Sequence, residues 1–165
     1  MYSIKHIKKI GEDSGHLELS SFNKKSCAKI FLNQGGSLQE LTLGSHEIIQ
    51  DMSPMRYSDT YASAILFPFA NRIKDGIYIF EGSTYQLDIN EPGNNNALHG
   101  LVYNKTFEVL EKTTTESFAS VKLGYHEYNW STGFPYTFAI YLEYVLTENT
   151  GFKFEVTFFD SKNLE

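Results

Sequence analysis

The sequence predicts an all-β chain folded as an antiparallel sandwich, and three observations carry that expectation. Apolar residues alternate with polar ones along most of the chain. Aromatics are abundant, with 13 Phe and 11 Tyr in 165 residues, and aromatic side chains favour pleated, half-buried strands. No stretch carries the spacing of an amphipathic helix. The length suggests a single domain over residues 1–165. A domain of this size buries roughly 70% of the surface its unfolded chain exposes, so a real core is available.

Taken in order, "HLELS" (16–20), "CAKIFL" (27–32), "SLQELTL" (37–43) and "HEIIQ" (46–50) read as short strands. "NQGG" (33–36) and Gly44-Ser45 punctuate them. Residues 53–72 keep neither period, which predicts a long surface loop or one helical turn feeding the apolar run that starts at Phe67. "GIYIF" (76–80) and "YQLDI" (85–89) flank "EGST", a hairpin in which Gly82 supplies turn geometry without a Cβ penalty. "NEPGNNNALHG" (90–100) holds one Pro, two Gly and four Asn, so it reads as a loop. "TFEVLEK" (106–112) and "SFASVKLGY" (117–125) form a further pair around "TTTE". In "YTFAIYLEYVL" (136–146), Phe138, Ile140, Leu142, Tyr144 and Leu146 share one face. In "GFKFEVTFF" (151–159), Phe152, Phe154, Val156 and Phe158 do the same, and "TENTG" (147–151) joins the two as a hairpin.

Charge and composition exclude several functions. The net charge is −6, against the basic patches that nucleic acid requires. The acidic residues are scattered and read as a solvated surface. Cys27 is the single cysteine, so no intrachain disulfide forms, and it is expected to pack as a small apolar residue. No run of about 18 apolar residues predicts a membrane helix. "MYSIKHIKKI" lacks the apolar core of a signal peptide, so a cytoplasmic protein is expected. The final Leu164-Glu165 reads as a vector-derived scar. No HExxH, clustered cysteines or acidic calcium loop occurs, and no metal is expected.

The chemistry-bearing residues sit in the two least regular stretches. Asn71-Arg72 ends the Phe67 run, and Leu98-His99-Gly100 ends the Asn-rich loop. Both flank the hairpin over 76–90, which can bring them to one end of the sheet. Arg offers a planar fork of donors, His can donate or accept, and Asn offers both amide groups. Such a set suits polyhydroxyl recognition. Plainer readings stand beside this one. An Arg after an apolar run commonly snorkels or pairs with a surface carboxylate, a loop His before Gly is commonly a turn residue, and Gly100 can serve only a positive φ. Trp130 can stack on a ligand, but core packing is the commoner role, and His126 in the same loop is expected to be exposed and idle. His6, His16 and His46 have no ligand-like spacing.

The stretch "FPFANRIKDGIYIFEGSTYQLDINEPGNNNALHG" (67–100) resembles the signature region of the aldose 1-epimerase (galactose mutarotase) family. An apolar run ends in Asn71-Arg72, then come Gly76-x-Tyr78-x-Phe80, Gly82-x-x-Tyr85-x-Leu87, an Asn, and Leu98-His99-Gly100. Weaker similarity runs upstream through 33–51 and downstream through 131–160. The resemblance implies a supersandwich of the galactose mutarotase type, truncated here. It implies interconversion of the α and β anomers of a free hexose such as glucose or galactose, with no cofactor. Arg72 would bond sugar hydroxyls, His99 would bind and polarise the anomeric end as an assisting catalytic group, and Asn71 would support both. The Phe67 run would be a core strand whose exit delivers Arg72 to the cleft.

The departures matter as much. Family members are longer, and their acid histidine and base glutamate belong to motifs beyond this chain's last residue. No His follows His126. The chain therefore resembles the N-terminal half of a mutarotase and is expected to be inactive alone. Its sheets should leave unpaired edges and apolar faces over 136–146 and 151–159, which predicts self-association. Alternatives are a non-catalytic carbohydrate-binding sandwich and a hexose-6-phosphate epimerase, for which Lys74 and Lys105 are the available phosphate partners.

Overall fold

Alternation becomes architecture in two antiparallel sheets. The computed structural model describes residues 1–8, 15–129, 133–148 and 151–160; Trp130, Leu164 and Glu165 lie outside them. Among the described residues there are thirteen strands. β1 (Ser3–Ile7), β2 (His16–Ser20), β3 (Cys27–Phe31), β4 (Ser37–Leu43) and β5 (His46–Ile49) form one five-stranded sheet in sequence order. β10 (Glu108–Thr114), β11 (Phe118–Glu127), β12 (Phe138–Thr147) and β13 (Gly151–Asp160) form a four-stranded sheet, also in sequence order. Two ribbons stand between them in the chain: β6 (Arg72–Lys74) with β9 (Asn96–Leu98), and β7 (Ile77–Phe80) with β8 (Ser83–Gln86).

One core joins the two large sheets. Leu17, Leu19, Ile30 and Leu41 come from the first, and Val121, Leu123, Ile140, Leu142 and Leu146 from the second. In β2 the alternation is literal: Leu17 and Leu19 are buried while His16, Glu18 and Ser20 are only partly covered. Each fully buried Leu or Ile contributes about 1.5–3 kcal/mol relative to exposure. The loop after β3 touches this core through Gly36, at φ 67°. A Cβ there would stand 2.7 Å from Leu142 Cδ1. The buried Tyr144 hydroxyl donates to the Gly36 carbonyl at 2.6 Å and ties β12 to that loop.

Several expectations change. β1 was not foreseen, because its burial alternation is weak and it lies at a sheet edge. The hairpin turn is tighter than "EGST": only Glu81 and Gly82 lie outside the strands, both at positive φ, the geometry of a two-residue type I′ connection. Residues 53–72 do contain one helical turn, α1 (Tyr57–Thr60). The Phe67 run is not a core strand. It is irregular, with Phe67 and Phe69 half-buried, Pro68 and Ala70 exposed, a bend at Pro68 and a parallel bridge from Phe67 to Gly100. Residues 96–98 are not loop but the wholly buried strand β9. His126 is neither in a loop nor idle. It lies on β11, with Tyr128 Oη 3.0 Å from Nδ1 and Tyr141 Oη 3.1 Å from Nε2. Of the two segments expected to expose an edge, β12 is paired on both sides and β13 alone is an edge.

Candidate functional site

The β6–β9 ribbon sets the geometry of the site. Arg72 stands opposite Leu98, Ile73 opposite Ala97 and Lys74 opposite Asn96. One residue beyond the ladder, the His99 N–H donates to the Asn71 carbonyl at 2.9 Å. Asn71 and His99 both take left-handed backbone conformations, at φ 62° and 65°. The chain then turns through Gly100, also left-handed, where a Cβ would meet the Phe67 carbonyl oxygen at 2.2 Å. Gly100 is therefore required by close approach, and the Leu101 N–H donates to that same carbonyl at 2.6 Å. Asn90 braces the ribbon from outside. Its Oδ1 accepts the Leu98 N–H at 2.6 Å, while its Nδ2 donates to the Leu98 carbonyl at 2.9 Å and to the Tyr103 hydroxyl at 3.0 Å.

Arg72 does not present a free guanidinium. Nε donates to Glu91 Oε2 at 2.8 Å and Nη2 donates to Oε1 at 2.6 Å, a bidentate pair. Nη1 points towards Asn71 Oδ1, at 3.4 Å. The carboxylate is itself fixed. Glu91 and Asn96 exchange backbone hydrogen bonds at 3.1 and 3.2 Å across the short 3-10 turn Pro92–Asn94, and Asn96 Nδ2 donates to Glu91 Oε2 at 2.7 Å. The Arg72 hydrogen bonds and then that of Asn96 hold the Glu91 pKa down to about 2. The surface-pair reading of Arg72 is thus correct as far as it goes, and the carboxylate belongs to the same loop that ends at His99.

His99 is partly buried. Its ring lies 4.6 Å from that of Tyr61 at 57°, and Tyr61 packs edge-on against Tyr103 at 5.5 Å. Nδ1 is buried with no hydrogen-bond partner. Burial first and Arg72 second lower the His99 pKa, with Glu91 opposing, so the imidazole is neutral at pH 7. Tyr57 supports this aromatic group by donating to the Tyr103 carbonyl at 3.0 Å, and burial pushes its own pKa up to about 12.

Asn71, Arg72 and His99 therefore meet at one place, as the spacing suggested. A neighbouring cavity of about 310 Å³ is lined by Asn90, Leu98, Tyr103, Asn104 and Lys105 among others, and none of the three is in its lining. They lie beside it, joined to it through Tyr103. Lys105 faces Glu127 at 4.0 Å and the Tyr125 ring at 6.0 Å. Among the described residues no group of three His, Cys, Asp or Glu side chains could hold a metal. Glu91, Asn96, Asn90 and Tyr61 were missed by sequence reasoning. Glu91 left a signal as a carboxylate inside the loop between the two motif ends, and Asn90 and Asn96 fall in the stretch where the motif carries an Asn, without a role assigned to either.

The aldose 1-epimerase family model matches residues 18–164. The chain belongs to the aldose 1-epimerase family. The uncharacterized protein YihR of Escherichia coli K12 is 30% identical over 122 residues, which is 74% of this chain and 38% of YihR. A galactose mutarotase-like protein from Clostridium acetobutylicum superposes with a TM-score of 0.79 at 23% identity, over 96% of this chain and 49% of that one. Galactose 1-epimerase from Lactobacillus acidophilus superposes at 0.74 and 16% identity, over 97% of this chain and 48% of the other. The fold is thus that of the galactose mutarotase-like aldose 1-epimerases. The chain spans less than half the length of each of these relatives.

Proposed function

We propose that this chain supplies the hydroxyl-binding part of an aldose 1-epimerase-like site that takes a free hexose, with Arg72 and His99 as contacts and Asn71 as their support. The observation that carries this reading is the hydrogen bond from the His99 N–H to the Asn71 carbonyl, which sets the two motif ends side by side. Their donors differ usefully. Arg72 keeps N–H groups on Nη1 and Nη2 beyond those given to Glu91, and neutral His99 can donate or accept. A hydroxyl does both, so the pair matches a polyol.

Anomer interconversion needs a base for the anomeric hydroxyl and an acid for the ring oxygen, each with a pKa near the working pH. Glu91 is a poor base, since its pKa is held near about 2 and both oxygens are engaged. His99 can polarise or assist, and no second proton carrier stands beside it among the contacts described. The proposal therefore assigns this chain binding, and assigns turnover to an aldose 1-epimerase of full family length. A cytoplasmic setting belongs to the same reading. Among the described residues no helix is long and apolar enough to cross a membrane.

The locked carboxylate favours a second reading, a carbohydrate-binding sandwich that never turns its ligand over. Polarimetry on fresh α-glucose and α-galactose, run beside an NMR titration of the same sugars, separates the cases. Shifts at Arg72 and His99 without faster mutarotation are expected. Acceleration by this chain would refute the assignment of binding alone, and no shift at either residue would refute the sugar site.

A further inference from the structure

We propose that Glu91 is the positioning residue of this site: it fixes the Arg72 guanidinium edge-on and offsets its charge beside His99. The sugar-facing half of this inference rests on the reading given above; the orienting half does not.

The geometry points one way at each step. An Arg side chain has four rotatable bonds and loses much freedom when it is held in one place. Here the Nε–Nη2 edge is clamped by both carboxylate oxygens, at 2.8 and 2.6 Å. That leaves the Nη1 side of the fork outward, next to the Asn71 amide. The clamp cannot itself wander. Glu91 is tied by its own N–H and C=O to Asn96, and its Oε2 takes a further hydrogen bond from the Asn96 amide. Asn96 is nine-tenths buried and sits in β9 opposite Lys74, so the β6–β9 ladder fixes both ends of the ion pair. A surface pair formed by chance would have two mobile partners. In this one Arg72 is half-exposed, whereas the Glu91 side chain is 18% exposed and the residue is held to Asn96 by one side-chain bond and two backbone bonds.

The charge has a second effect. The titratable groups around His99 are Arg72, Glu91 and Tyr61. Arg72 favours neutral imidazole and Glu91 opposes it. Removing the Glu91 charge should leave the cation uncompensated, pull the His99 midpoint lower still, and let Arg72 leave its fixed orientation.

The test uses NMR on the full chain as wild type, Glu91→Gln and Asn96→Ala. It follows the Arg72 Nε–H resonance, the His99 ring titration, and titrations with galactose and glucose. In the wild type the Nε–H should be protected from exchange. Glu91→Gln should abolish that protection, lower the His99 midpoint, and weaken sugar binding by roughly tenfold or more. Asn96→Ala, which loosens Glu91 without touching Arg72, should move the Nε–H and the sugar affinity in the same direction by less. A dispersed spectrum for each variant shows that the fold is intact; if Glu91→Gln does not fold, Asn96→Ala carries the decision. Unchanged Nε–H protection in a folded variant overturns the proposal, as does an unmoved His99 midpoint. If the wild type binds neither sugar while the Nε–H and His99 respond as stated, the sugar reading fails and the orienting role of Glu91 stands.

Discussion

β12 and β13 are neighbouring ten-residue strands with nearly the same alternation, and they end up in opposite environments. On β12, Ile140, Leu142 and Tyr144 are at most 1% exposed. Their cross-strand partners on β13, Phe158, Val156 and Phe154, are 63%, 46% and 41% exposed. The two triplets share one face of one sheet. The core contributed by the five-stranded sheet covers β12 and stops short of β13. Phe152 is the partly buried β13 side chain that packs against the main cluster, while the exposed Phe154 stacks on Tyr144 at 4.7 Å and Phe158 reaches Phe67 at 5.4 Å. Hydrophobic alternation therefore specifies a face, and burial depends on whether another layer lies over it.

The largest test of this contrast is a truncation in each strand. Leu142→Ala should cost about 2–5 kcal/mol by urea denaturation, the range for large-to-small changes in a packed core. Val156→Ala, directly opposite, should cost less than about 1 kcal/mol. Equal losses would erase the distinction. Next in size, Tyr144→Phe leaves the Gly36 carbonyl without its 2.6 Å partner and should cost about 1–2 kcal/mol. A loss confined to β13 would show up differently, as association. Sheet edges with exposed apolar residues pair with other chains, so gel filtration should give a concentration-dependent size for the wild type. Phe154→Lys and Phe158→Lys should move it towards monomer while changing stability by less than about 1 kcal/mol. A wild type that stays monomeric at high concentration would mean that β13 needs no cover.

The smallest expected effect is on pH dependence, and it lies at the site. The folded Glu91 pKa, about 2, is below its ordinary carboxylate value. Its contribution is therefore complete above that ordinary value and is lost as pH falls through about 2. His99 is also lowered, so it favours the fold in its neutral form, and stability declines as pH drops below its ordinary value of 6.5 towards the folded one. Glu91→Gln should flatten the acid limb of the urea midpoint measured against pH. An unchanged limb would assign acid sensitivity to other carboxylates.

Much of the sandwich was legible because its signal is local. Segments 16–20 and 136–146 carry alternation, which is the side chain period of a strand. β9 was illegible for the opposite reason. Asn96, Ala97 and Leu98 have neither length nor alternation, and an Asn-rich neighbourhood speaks for a turn. Their strand geometry comes from pairing with Arg72–Lys74, more than twenty residues away. The Phe67 run erred the other way, since apolar content says nothing about whether a ladder partner exists. At the site, Arg72 and His99 were legible through a motif. Tyr61 was not, and Glu91 showed only as a nearby carboxylate, because the ring contact and the ion pair are fixed by tertiary placement.

The left-handed backbone at positions 71 and 99 limits how this site can change. Asparagine tolerates that conformation and glycine accepts it freely, whereas a β-branched residue is strained there whatever its polarity. A lineage released from the need for the imidazole would thus drift at 99 towards glycine or asparagine and avoid valine. The backbone would keep its bend whichever of those residues stood there.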